Sequence, residues 1–246
     1  MTLQTTFRPH LTAMLFLATA LSGTAAAQTA SPLKEAKLNI EHNFTDSDTG
    51  FQGAIDSEGW KDITVLGPNG VVLKFEAGGK LRGLGLTELF FETVEPKNAD
   101  VPIKDMLARL PEGNYIFSGP TPGGETTVGT AWLTHDIPKG PTLLSPPNGG
   151  SVPHADLTVA WTAVNRTIDG KPIDIIAYQL IVERDRPVHP HMIGKRNGLS
   201  MYLGPNVTRM TVPKEFLQPG VKYVWEVLAI EPSGNQTLSS ASFTTN

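Results

Sequence analysis

Residues 217–245 read LQPGVKYVWEVLAIEPSGNQTLSSASFTT, and the first half of that stretch decides the fold. Tyr223, Trp225, Val227 and Ala229 fall on one side of an alternation whose other side is more polar. A strand sends successive side chains to opposite faces, so this spacing predicts a strand with one face in a core. Pro219 and Gly220 supply a turn before it, and the PSGN run at 232–235 supplies one after it. Working upstream, Leu157, Val159 and Trp161 alternate with Thr158, Ala160 and Thr162, and Tyr178, Leu180 and Val182 repeat the pattern. Period two with β-branched and aromatic residues means half-buried strands.

Residues 136–153, DIPKGPTLLSPPNGGSVP, are dense in Pro and Gly and carry few side chains able to build a core. They mark a boundary between two domains. The part after the boundary resembles a fibronectin type III domain, over roughly residues 141–246. Trp161 matches the family's core tryptophan on the second strand and Tyr178 opens the third. Leu217, Pro219, Gly220 and Tyr223 match its turn and tyrosine corner. Two departures stand out: the segment from Arg184 to Leu199 is long and basic, and no RGD tripeptide is present. The resemblance implies a β-sandwich that serves as an adhesive surface or spacer; a fold of this kind does not itself name an activity.

The part before the boundary repeats the physics. Leu38–Phe44, Gln52–Ile55, Ile63–Leu66 and Val71–Phe75 are strand candidates, and GPNG at 67–70 is a tight hairpin turn. Leu84–Val94 suits strand or helix. Pro102–Leu110, with Ile103, Met106, Leu107 and Leu110 at helical spacing, predicts one short helix. LPEGNY at 110–115 echoes LQPGVKY and predicts a second tyrosine corner, at Tyr115. The expected architecture is therefore all-β with one short helix: two β-sandwich domains in tandem, 28–137 and 138–246, the second type III-like.

Arg8, the apolar run from Leu11 to Leu21 and the small residues Ala25, Ala26 and Ala27 read as a signal peptide over residues 1–27. The run is shorter than the ~20 residues a membrane helix needs, so no transmembrane segment is expected. The chain has no cysteine, which excludes disulfides, thiol nucleophiles and thiolate metal sites. A net charge of −4 with no basic stripe argues against a nucleic-acid partner. The expected compartment is secreted or periplasmic. NxT sequons stand at Asn43, Asn165, Asn206 and Asn235.

Four groups of residues invite chemistry. Asp46, Asp48, Asp56 and Glu58 offer oxygen ligands for calcium, although Gly50 holds a position where an EF-hand needs a ligand; a solvated turn is the competing reading. Glu88, Glu92 and Glu95 offer carboxylates for glycoside hydrolysis, against an exposed acidic face. His189 and His191 flank Pro190 on the long loop with too few neighbouring donors for a metal site. No GxSxG elbow is present, and Ser118 and Ser233 read as turn residues. Trp60 and Trp132 stand out of the strand pattern; exposed, they would stack on a sugar or anchor a protein contact, and buried, they would fill the domain junction. The function these features support is a secreted, non-catalytic binding protein with a protein or glycan partner. The alternative is an accessory or catalytic component of extracellular polysaccharide processing.

Overall fold

A computed structural model describes residues 30–186 and 198–246; the expected leader, residues 1–27, lies outside them. The fold is all-β. In chain order the elements are β1 (Ser31–Pro32), β2 (Glu35–Asn43), β3 (Asp48–Trp60), β4 (Asp62–Gly67), β5 (Gly70–Glu76), α1 (Leu81–Leu84), β6 (Leu86–Glu92), α2 (Ile103–Leu107), β7 (Gly113–Pro120), β8 (Thr126–Leu133), β9 (Leu143–Ser145), β10 (Gly150–Val152), β11 (Thr158–Trp161), β12 (Ala177–Arg184), β13 (Gly198–Leu203), β14 (Arg209–Thr211), β15 (Lys222–Ile230) and β16 (Gln236–Thr245). The segment open to either reading, Leu84–Val94, contains strand β6. The expected helix is the single turn α2, begun by Pro102, with Met106 turned into the core. A second helical turn, α1, lies where the sequence predicts none; it has no buried residue, so no apolar periodicity announces it.

Both tyrosine corners form. The Tyr223 hydroxyl accepts from the Gln218 N–H at 2.9 Å, and the Tyr115 hydroxyl donates to the Pro111 carbonyl at 2.7 Å. Each bond ties a core aromatic to the turn that precedes its strand. The hairpin at Gly67–Gly70 also forms, with those two glycines paired.

Buried apolar side chains gather in two main clusters, one drawn from residues 38–137 and one from residues 157–243. The first lies between a five-stranded sheet, β1-β8-β7-β4-β5, and strands β2, β3 and β6. The second lies between the three-stranded sheet β14-β11-β9 and strands β13, β12, β15 and β16. In it Trp161 packs edge-on to Tyr178 at 5.7 Å.

The two halves are not merely strung together. β16 pairs in parallel with β2, Gln236 opposite Glu41 and Leu238 opposite Asn43, so β13-β12-β15-β16-β2-β3-β6 is one continuous sheet. Asn235 extends this seam by one residue. Its Oδ1 accepts the Ile40 N–H at 2.9 Å, and its Nδ2 donates to the carbonyls of Thr134 at 3.0 Å and Asp136 at 3.2 Å. The Thr237 hydroxyl donates to the Pro138 carbonyl at 2.6 Å. Asn235 is wholly buried, so its sequon is closed to a glycan in the folded chain.

Asn235→Asp should destabilise the protein by about 2–4 kcal/mol, because a carboxylate would face two carbonyl oxygens it cannot donate to. Urea unfolding followed by tryptophan fluorescence measures this. A loss under about 0.5 kcal/mol would show that the seam does not depend on the amide.

Candidate functional site

The outer face of the shared sheet carries the concentration of chemistry. Along β2 the alternation turns Leu38 and Ile40 into the first core and leaves Lys37, Asn39 and Glu41 on the other face. The same rule places Gln52 on β3, Phe90 on β6, Gln179 on β12, Tyr202 on β13, Glu226 on β15 and Gln236 on β16 around one depression of about 210 Å³. Three apolar residues, Ile181, Leu228 and Leu238, form a small buried island within it. Both halves of the chain therefore line one site.

Most of its polar side chains are tied together. Gln236 Nε2 donates to the Glu41 carboxylate and to Gln52 Oε1, the latter at 3.0 Å. Gln179 Nε2 donates to Ser200 Oγ at 3.0 Å. Asn39 is the exception. It is 0% exposed; among the described residues its Nδ2 reaches only the neighbouring Ile40 carbonyl, at 3.3 Å, and its buried Oδ1 has no hydrogen-bond partner. An unsatisfied buried acceptor costs about 1–3 kcal/mol, and this one lies beneath the floor of the depression, closed to solvent. Phe90 and Tyr202 are 57% and 67% exposed and offer ring faces at the rim.

A carboxylate group adjoins this face. Oxygens of Glu41, Glu92 and Glu95 all lie within 4.8 Å of one another. Glu95 reaches them by lying across Gly50, where an added Cβ would meet its Cγ at 2.6 Å. Three negative charges at this spacing are not tolerated together. Burial, then the charges of Glu41, Glu92 and Asp48, push Glu95 up to about 8, so at neutral pH it holds the proton that relieves the group. A hard cation such as calcium would relieve it in the same way. Nearby, burial holds His42 below its ordinary 6.5, against the opposing effect of the Asp48 carbonyl and carboxylate.

The four acidic residues proposed as calcium ligands are divided. Asp48 and Asp56 sit eight residues apart on the unbroken strand β3, about 26 Å at strand rise, so the four do not surround one ion. Gly50 and Gly59 read as loop and turn in the sequence, so only Gln52–Ile55 of this long strand is announced there. A lysine meets each end: Lys97 binds Asp48 at 2.9 Å and the Asp46 carbonyl at 2.8 Å, and Lys34 binds Glu58 at 2.7 Å, holding that carboxyl below its ordinary value through the hydrogen bond and charge of the pair. Trp60 and Trp132 do not meet either. Trp60 is 0% exposed in the first core rather than at the junction, while Trp132 is 56% exposed on the outer face of the five-stranded sheet. His189 and His191 lie outside the described residues.

No family model matches this sequence, and no curated protein matches it. Among solved structures the chain is similar to the chicken CNTN1 FN1-FN3 domains at 9% identity and a TM-score of 0.33, over 87% of this chain and 69% of that one.

The carboxylate group makes stability depend on pH. Glu95 ionises at 4.5 when unfolded and at about 8 when folded, so between these values the folded chain holds a proton the unfolded chain has lost. Its contribution is fully present below pH 4.5 and fades as pH rises to 8. Glu95→Gln, which keeps the shape and stays neutral, should be more stable than the parent at pH 8.5 by on the order of 1–3 kcal/mol and no more stable at pH 4. Denaturant titrations at both pH values decide it; parallel curves for the two proteins would remove the shared proton.

Proposed function

We propose that the protein is an exported, non-catalytic binding protein of two β-sandwich units, 28–137 and 138–246, and that its ligand is a neutral glycan held in the depression across the shared sheet. The polar depression that both halves line carries this reading, with Asn39 Oδ1 beneath its floor and without a hydrogen-bond partner among the described residues. It is supported by a lining of amides and carboxylates suited to sugar hydroxyls, with Phe90 and Tyr202 at the rim for stacking on the apolar face of a ring. A protein-contact core is instead depleted in charge, and Glu35, Glu41 and Glu226 against Lys37 disfavour acidic sugars. The type III-like half is then part of the binding site and not only a spacer. A polysaccharide-processing role is favoured by the placing of Glu95, pushed up to about 8 by burial and neighbouring charges, within reach of Glu92, since a general acid needs such a raised carboxyl.

Two variants test the binding reading on an array of neutral, amino and acidic glycans, with calcium and with chelator. Asn39→Leu should unfold no earlier than the parent, since it removes an unsatisfied group, yet lose at least about tenfold in affinity, or ~1.4 kcal/mol. Tyr202→Ala should weaken the same glycans. Loss of binding in chelator would place a cation at the carboxylate group. Silence of the parent on the array would overturn the glycan reading, and hydrolysis abolished by Glu95→Gln would replace it with the enzymatic one.

A further inference from the structure

A second cavity opens on the opposite side of the same two strands. Leu38 and Phe51 neighbour Asn39 and Gln52 in sequence and point the other way, into a cleft of about 440 Å³. It enters the first core where β5, the edge of one sheet, faces β6, the edge of the other, with no ladder between them. Phe75 and Phe91 bridge the two edges, ring centroids 5.0 Å apart. The segment from Thr93 to Leu110, which includes α2, forms the remaining wall. Leu38, Phe51 and Met106 line the cleft and are at most 5% exposed.

Protein interiors are packed with few voids larger than a water. This cleft is roughly fifteen times the ~30 Å³ share of one water, and within the ~300–1,000 Å³ range of ligand cavities. The cleft is open to solvent along one side, where Val94 is 85% exposed, so an apolar molecule that filled it would displace water from hydrocarbon. The lining holds a single charged side chain, Arg109, which is exposed and in no ion pair among the described residues. A guanidinium matches a carboxylate in a two-point fork. An apolar slot with one such cation fits a molecule with one hydrocarbon chain and one anionic head.

We propose that the cleft binds a long-chain fatty acid, its chain against Leu38, Phe51 and Met106 and its carboxylate on Arg109. The site is separate from the glycan depression and does not rest on that reading.

The test titrates the purified protein with a polyene fatty acid whose emission rises in apolar surroundings, and with the alcohol of the same chain length in competition. The expected result is saturable binding of one molecule per chain. Arg109→Glu should weaken the acid about tenfold or more by replacing attraction with repulsion, while changing the alcohol by no more than about twofold. Val101→Trp, which fills the cleft, should abolish both; if that variant fails to fold, the exposed Arg109 substitution still decides. Absence of saturable binding, several molecules per chain, or an equal effect of Arg109→Glu on acid and alcohol would each overturn the proposal. So would displacement of the probe by apolar peptides and not by unlabelled fatty acid.

Discussion

The parallel seam between β2 and β16 is the contact on which the rest of the molecule depends. A closing strand at the edge of a sheet leaves a row of unpaired N–H and C=O groups, a template for unwanted pairing. Here β2 covers Gln236–Leu238 at one end of β16 and β10 covers Phe243–Thr245 at the other. Asn235 then continues the ladder past the strand's first residue with its side chain: a carboxamide has the same donor and acceptor as a peptide bond, and it meets Ile40, Thr134 and Asp136 as a further backbone unit would. The short Thr237 bond to Pro138 holds the connecting segment against the same strand. The connection between the halves is therefore built from backbone-type hydrogen bonds, whose geometry tolerates little displacement.

That seam is also what makes the outer face a site. Neither half alone places Asn39, Gln52 and Glu41 beside Gln236, Gln179 and Tyr202. The Gln236 amide spans the join, donating to side chains of two strands from the other half. An unpaired polar group in such surroundings is costly, and beside these bonds Asn39 Oδ1 has no partner among the described residues.

Much of the fold was legible in the sequence because its signals are local. Tyr223 and Tyr115 each follow a Pro-Gly or Pro-Glu-Gly turn, and both corners formed. Trp161, Tyr178 and Trp225 fell in the core as their alternation required. The site was much less legible. Glu41 and Gln236 are 195 residues apart, and period two says which way a side chain points but not which strand lies beside it. Glu95 stands out in the sequence as a carboxylate, yet its position depends on the bare backbone of Gly50, a glycine that reads in sequence as a gap in a calcium loop. Trp60 is hard to place for a related reason: Gly59 before it looks like a turn, whereas it lies in a strand at a positive φ of 151°, where the β3–β6 register shifts and the indole enters the core.

The two cavities are coupled by their shared register. Leu38 and Asn39, like Phe51 and Gln52, differ by one position in sequence and by a whole face of the sheet in space. A slip of one residue between β2 and its partners would exchange those faces, putting Asn39 in the apolar core and Leu38 in the polar depression. Pairing within β2–β3 does not forbid this by itself, because backbone ladders are indifferent to side-chain identity. The discrimination comes from side chains with one acceptable partner: Asn235 finds the Ile40 N–H only in the observed register, Gln236 finds Glu41 and Gln52 together, and Phe91 lies over Gly53, where an added Cβ would meet its ring at 2.3 Å. These three contacts lie on different edges of the same strand pair, so the register that hides the apolar cleft is fixed by the groups that build the polar face.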